Sequence, residues 1–341
     1  MLSDPPAPTP EITAAREALK RNPRDLATIL ALGDACHAAG LSQDAGQAYS
    51  VALRIAGQQG QPAPPVGSAL DAALRRAGTR VAEYAADYEA FLRGRLAGHE
   101  AGARIDEALD LLFGKRQIYF QRPTRFFFPG LPQIQFYDRR NFDWVPALEA
   151  ETAAIREELL TVMNEASAFQ PYVEADETRP HVRNTHLTGS ADWSAFYIWK
   201  NGELVEENAA RCPRTAAAVA DLPFDRIPGQ APSVLFSRLE PGTRIPPHHG
   251  LVNTRLVCHL PLLVPGPAYL RVGNETRAWR EGEMVIFDDS IQHEAWNEAD
   301  QTRVVLLFDI WRPELSEAER RAVTDIFASI AERTGSSVAS G

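Results

Sequence analysis

The second half of the chain is cut into short apolar runs by turn signals, and that pattern limits the fold more than any other feature. Residues 233–239, 254–263, 268–272, 283–287 and 303–311 are rich in Val, Leu, Ile and Phe, with Pro-Gly, Gly-Asn and Glu-Gly pairs between them. Runs of this length bounded by turn residues read as strands. Several of them in succession predict a double-sheet barrel or jelly roll. Upstream, residues 193–199 read as a further strand, and Asn201-Gly202 is a hairpin turn signal.

The first third has a different period. Residues 12–20, 25–39, 42–55, 69–96 and 105–112 are Ala-rich, with apolar positions at three- and four-residue spacing, the signature of amphipathic helix. Asp25 is placed to cap one helix and Gly40 to end it. Ile29, Leu32, Gly33, Ala45, Tyr49 and Ala52 fit the small/large spacing of a tetratricopeptide repeat, although Gly57 stands where the repeat's late proline is usual. A generic Ala-rich helical hairpin reads the same residues equally simply. Residues 57–66, rich in Gly, Gln and Pro, form a loop within this part. Further helices are expected at 146–163, at 209–220 and at 316–333. The last is opened by a capping box of Ser316 and Glu319.

The expected class is therefore α+β. A proline-rich disordered tail (1–10) precedes a tetratricopeptide-like helical domain (11–116). A double-stranded β-helix of jelly-roll, cupin-like form with flanking helices follows (117–341).

Charge narrows the function. The chain carries 35 basic and 45 acidic side chains, a net −10. Most of the excess lies in the β-rich part: 22 basic against 31 acidic from residue 117 onward, 13 against 14 before it. A general nucleic-acid or anionic-membrane binder is normally basic, so neither class fits. Cys36, Cys212 and Cys258 are odd in number and widely spaced, which fits no disulfide framework or zinc pattern and suggests a reducing, cytoplasmic setting. The longest apolar stretch, 256–270, holds His259 and three prolines and is too short and broken to span a bilayer. The N-terminal residues lack the charged and apolar regions of a signal peptide.

Histidines carry the chemical signal. Four of eight, His248, His249, His259 and His293, fall in the β-rich region. Imidazole is the commonest neutral metal ligand, and two histidines about 45 residues apart can meet at a barrel mouth. Ten residues after His293, Arg303 heads the apolar run VVLLFDIW. A guanidinium in such a strand is costly without a partner. A carboxylate ligand from outside would satisfy it bidentately, and so would an internal salt bridge. Metal-type histidines with a buried arginine suggest a metal and a dicarboxylate co-substrate.

The motifs SRLEPGTRIPPHHG, NTRLVCHLPL, RVGNETRAWREGEMVIFDDSIQHEAWN and RVVLLFDIWRPEL, with FPGLPQIQFYD and WKNGE upstream, resemble the aspartyl/asparaginyl β-hydroxylases over about residues 118–315. The resemblance implies a jelly-roll oxygenase dependent on Fe(II), 2-oxoglutarate and dioxygen, with release of succinate and carbon dioxide. His248 and His293 match the iron ligands. His249 matches the residue between ligand and glycine and reads best as an exposed or substrate-facing neighbour. Gly250 stands where most oxygenases of this fold place a carboxylate ligand, and the resemblance implies water there. Asp289 is a candidate to hold that water, or to cap its turn. Ser237 and Arg303 match the pair that takes the far carboxylate of 2-oxoglutarate, and His259 a histidine near its metal-bound end. Arg255 matches a substrate-binding residue. Val257 replaces a second arginine found in animal members, which leaves the inward strand face one charge short.

The expected activity is hydroxylation of an aspartyl, asparaginyl or similar carboxyl- or amide-bearing substrate, whether protein, peptide or small molecule. The N-terminal helices are a candidate protein-binding surface. Two other readings compete: an acyl-chain hydroxylase, and a non-catalytic metabolite-binding jelly roll with a helical adaptor.

Overall fold

The computed structural model describes residues 8–58, 64–99, 102–165, 168–173 and 186–334. Most of the expected tail (residues 1–7) and the middle of the 57–66 loop lie outside them. The chain divides into two compact units, Met1–Gln117 and Ile118–Gly341.

The first unit is helical: α1 (Pro10–Arg21), α2 (Leu26–Ala38), α3 (Ser42–Ala56), α4 (Ala69–Leu96) and α5 (Ala103–Leu112). Helix α1 begins inside the stretch expected as tail. Pro10 sits in its first turn, where a missing N–H costs nothing, and the Thr9 side chain accepts from the Ile12 N–H. Asp25 caps α2 by accepting from Thr28 N–H at 3.1 Å. Gly33 lets α2 and α3 close up. A Cβ there would meet the Tyr49 ring at 2.5 Å, and the Tyr49 hydroxyl donates to Asp34 at 2.7 Å. Ile12, Ile29, Leu30, Cys36, Ala45, Ala48, Tyr49, Ala52 and Ala77 form the core of this unit.

The second unit holds twelve strands and five helices among its described residues. In chain order these are β1 (Phe136–Tyr137), α6 (Val145–Ala150), α7 (Thr152–Met163), β2 (Gln170–Pro171), β3 (Trp193–Lys200) and β4 (Glu203–Leu204). Next come α8 (Glu206–Arg211), α9 (Pro213–Val219), β5 (Val234–Leu239), β6 (Arg244–His248), β7 (Arg255–Leu263) and β8 (Ala268–Val272). The last are β9 (Glu275–Ala278), β10 (Val285–Phe287), β11 (His293–Asn297), β12 (Arg303–Trp311) and α10 (Glu317–Thr334).

Two antiparallel sheets result. The larger runs β1-β10-β7-β12-β5-β3-β2 with β4 on β3, and the smaller runs β6-β11-β8-β9. This is the double-stranded β-helix. Alternation sorts the side chains. Even-numbered residues of β7 and β12, such as Leu256, Cys258, Leu260, Leu306, Phe308 and Ile310, pack against the helices on the outer face. Val257 and Leu307 turn the other way, with Leu239 and Phe287, toward Ile245, Leu270, Val272 and Ala295 of the smaller sheet. The inter-sheet space therefore receives Arg255, His259, Arg303 and Asp309 as well.

Two helix expectations need correction. The segment 146–163 is broken at Glu151 into α6 and α7. The segment 209–220 is split at Cys212, because Pro213 opens α9 and has no N–H to continue α8. The Asn201-Gly202 turn forms as expected, with φ of +54° and +85°, the paired positive values of a two-residue hairpin. So does the capping box: the Ser316 N–H donates to Glu319 at 2.8 Å, and the Glu319 N–H to Ser316 Oγ at 3.3 Å.

Candidate active site

His248 ends β6 and His293 opens β11, and they are cross-strand partners in the smaller sheet. Their ring centroids are 4.0 Å apart at 53°. Each ring is held by the carbonyl two residues before it. His248 Nδ1 lies 2.8 Å from Pro246 O, and His293 Nδ1 3.1 Å from Ile291 O. With Nδ1–H donating to those carbonyls, each Nε2 carries the lone pair, the tautomer a metal requires. Burial, then the charge of His248, keeps His293 well below the ordinary imidazole range. His293 is thus held neutral, the form that ligates a metal.

Position 250 is closed to a side chain. A Cβ on Gly250 would lie 1.9 Å from Asp289 Oδ2, and the Gly250 N–H donates to the Asp289 carbonyl at 2.7 Å. Among the described residues no group of three His, Cys, Asp or Glu is placed to hold a metal ion. The donor set is two histidines with a carboxylate behind the third position, which fits a metal that completes its shell with small ligands. The turn itself is capped by Asp288, whose Oδ1 accepts from the Ser290 N–H at 3.0 Å and Oγ at 2.5 Å. Asp289 is left facing Gly250, with Oδ1 buried and unpartnered. Burial pushes its carboxyl up to about 7, against the pull of Arg255.

Arg303 is 1% exposed. Its Nη1 donates to Ser237 O at a long 3.4 Å, its Nε finds no partner, and its guanidinium lies 4.3 Å over the Trp279 ring. No acidic partner reaches it among the described residues. Burial alone pulls it down to about 9. The internal salt bridge considered from sequence is therefore not made among the described residues, and the guanidinium is placed to pair with an anion. Ser237 lies on neighbouring β5 and accepts from Trp193 Nε1 at 3.1 Å. His259, on β7 opposite Leu307, packs against Trp279 and Phe287 with its Nδ1 unpartnered. Burial and the Arg303 charge push it down to about 3, so it is neutral.

Arg255 has partners of its own. Its Nη1 lies 2.9 Å from Asp309 and 4.0 Å from Asp225. Burial opposes its charge, but Asp309, Asp289 and Asp225 hold it protonated. Asp309 pairs with Val257 across the β7–β12 ladder. Sequence reading passed over Asp309, although it is the lone acid in VVLLFDIW and shares strand parity with Arg303. Asp225 and Trp279 were also missed; neither carries a local signal.

A second buried network steadies this region. Arg312 donates to Asp288 at 2.8 Å, with both side chains fully buried, and to Pro132 O at 2.9 Å. Gln121 donates to Asp288 at 2.6 Å, and Asn253 to Gln121 at 2.9 Å. The FPGLP segment is thereby tied to the turn that precedes His293.

The fold and these side chains define a jelly roll with a histidine pair and a buried arginine between its sheets. Residues 149–313 match the family described as Aspartyl/Asparaginyl beta-hydroxylase. The chain is 32% identical over 214 residues to "Aspartate beta-hydroxylase domain-containing protein 2" of Xenopus tropicalis, covering 61% of this chain and 55% of that one. It is 37% identical over 195 residues to "Ornithine lipid ester-linked acyl 2-hydroxylase" of Rhizobium tropici, covering 55% and 64%. With "Aspartyl/asparaginyl beta-hydroxylase" of Mus musculus it shares 35% over 184 residues, 53% of this chain and 23% of that one. The chain thus spans from about a quarter to under two thirds of these relatives.

Proposed function

We propose that the protein is an Fe(II)- and 2-oxoglutarate-dependent dioxygenase that hydroxylates an organic acceptor. One observation carries the reading: the inter-sheet space holds a paired His248–His293 set with both Nδ1 atoms on backbone carbonyls and, with it, a buried Arg303 that no acid among the described residues neutralises. His248 and His293 would hold the iron through Nε2. Arg303, with Ser237 beside it, would receive the far carboxylate of 2-oxoglutarate. The bound metal with 2-oxoglutarate and dioxygen supplies the oxidising power to place oxygen on a C–H bond.

The chain's own part is to position and to exclude. Trp279 fixes the Arg303 guanidinium from its face. Phe287 and Trp279 pack His259, which stays uncharged and can hydrogen-bond to the co-substrate without adding positive charge beside the metal. The apolar side chains of the inter-sheet core keep bulk water away. Asp289 Oδ2, pressed against Gly250, would accept a hydrogen bond from a water beside the metal, which leaves its Oδ1 for another donor.

Anaerobic titration of Fe(II) and 2-oxoglutarate into the protein tests this, through the weak visible charge-transfer band of the chelate. Absence of the band, together with no succinate formed in air with any acceptor, sinks the reading.

The acceptor class has two candidates. The family's name supports an aspartyl or asparaginyl group. The 37% identity to an acyl 2-hydroxylase supports a fatty acyl chain. Among the described residues no helix is long and apolar enough to cross a membrane. A reducing, cytoplasmic location belongs to the same proposal, supported by three buried free cysteines. So does a partner-binding role for the tetratricopeptide-like helices of the first unit.

A further inference from the structure

The inter-sheet space has two electrically different ends. Residues 303 and 309 of β12 are six apart on the same face, a span of about 20 Å at the rise of a strand. At one end Arg303 meets no acid among the described residues. At the other, Arg255 meets Asp309 at 2.9 Å and Asp225 at 4.0 Å, and its charge also feels Asp289. Two carboxyl groups contact one guanidinium, and a third acts on it at longer range.

A closed structural network would satisfy its own atoms, as the Arg312–Asp288 network does at the latter's carboxylate. This one does not. Asp225 is 2% exposed and Asp289 6%, and in each Oδ1 is buried with no hydrogen-bond partner. Buried carboxyl oxygens left unpaired are expensive, so they mark a place for a donor that arrives from outside. The donor is not a metal ion held by three protein groups, because none is so arranged among the described residues. Beside the cluster, Tyr172 stacks on Trp193 at 4.1 Å and 15°, and the Tyr172 hydroxyl feels the charges of Asp309, Arg255 and Asp289. Aromatic faces next to surplus carboxylates suit an organic cation.

We propose that the end of the site formed by Asp225, Asp289 and Asp309 receives a positively charged group of the acceptor, a primary amine or a guanidinium. The inference rests on the oxygenase reading for the identity of the acceptor, but the cation subsite itself does not need the iron. It changes the role of Arg255. Held by Asp309, it arranges the carboxylates instead of reaching for an acidic substrate. Burial, then repulsion by Asp309 against the pull of Arg255, pushes Asp225 up to about 8, with Asp289 close enough to add to the effect. The empty subsite thus retains a proton at neutral pH and gives it up when the cation enters.

Calorimetry on the full-length, metal-free protein tests the subsite with butylamine, methylguanidine and butyrate as probes. The expected result is binding of one or both cations in preference to butyrate, with proton release visible as a dependence of the heat on buffer ionisation. Asp225→Asn should weaken cation binding by about tenfold or more. Where that variant fails to fold, Asp309→Asn serves: it should lose the cation and gain butyrate through the freed Arg255. Binding of butyrate as tightly as either cation, or no binding of either cation, overturns the inference. Succinate formation, measured separately, reports on the oxygenase reading. An enzyme that turns over yet is stimulated only by acidic acceptors would sink the cation subsite and leave the oxygenase standing.

Discussion

The carboxylate of Asp289 stands where a side chain on residue 250 would begin, 1.9 Å from the Cβ that Gly250 lacks. The backbone pins the two together, through the 2.7 Å bond from the Gly250 N–H to the Asp289 carbonyl. The room that an acid at position 250 would need is filled by another acid from a different strand end. Gly250→Asp should therefore misfit, destabilising the protein by about 1–3 kcal/mol through overpacking and like charge. Combined with Asp289→Gly it should recover stability. Urea unfolding of the single and double variants checks this, and additive effects in the double variant would refute the steric argument.

His248→Ala or His293→Ala would remove one of the two proposed ligands, and Fe(II) affinity should fall by more than the roughly 10–100-fold that loss of an outer-shell partner costs. Competitive chelator titration reads it. Substituting His249 should leave metal affinity within a few-fold of the parent, because adjacent strand residues face opposite ways.

Arg303→Met should separate stability from binding. It removes a buried charge that no acid among the described residues pairs with, and keeps a side chain against Trp279. The ligand-free protein should be as stable or more stable, by up to about 1–3 kcal/mol. The same variant should lose the thermal shift that 2-oxoglutarate gives the parent. A large loss of stability in the ligand-free variant would show that an internal partner had been satisfying the guanidinium.

The Arg312–Asp288 pair behaves in the opposite way. Asp288→Ala strands a fully buried guanidinium and should cost about 3–5 kcal/mol in denaturant unfolding. Because Asp288 also caps the turn before His293, metal affinity should fall with it, while Arg312→Met should be milder.

Acid and base act on different residues. His259 has its folded pKa pushed down to about 3, against an ordinary value of 6.5. The unfolded chain then binds the extra proton, so its contribution to stability falls as pH drops below about 6.5 and down to about 3. His259→Gln should flatten that limb. Asp225 has the reverse sign. Its folded pKa is raised to about 8 from 3.8, so stability is greatest below 3.8 and is lost as pH rises toward 8. The stability of Asp225→Asn relative to the parent should therefore improve steadily across that window, measured by chemical unfolding at several pH values.

The strands of the larger sheet were readable because β5, β7 and β12 are continuous apolar runs buried on both faces. The two strands that carry the histidine pair were not. β6 contains Pro246 and Pro247, which lack the N–H of a ladder, and β11 alternates too briefly to stand out. Their pairing emerges only when the sheet closes. The positions of His248, His293, Arg303 and Ser237 followed from motif resemblance, since nothing local in a histidine says which other histidine it will meet. Arg255 was assigned by the same route. Its engagement by Asp309 and Asp225 joins residues from three separate segments, which no single stretch of sequence displays.

The cross-strand register of His248 and His293 has a consequence for how the centre can vary. Both rings hang from one backbone ladder, whose register shifts between His293 and Ala295, so their separation is fixed by the strands and that shift and not by loop conformation. Loops of any length between Leu251 and Gln292 can be exchanged without moving the pair, provided strand pairing survives. A single residue inserted or deleted within β6 or β11 is another matter. It reverses the parity of that strand and sends one imidazole to the outer face. The centre therefore tolerates broad drift in the segments around it and almost none in frame, which makes its two short strands the least editable part of the molecule.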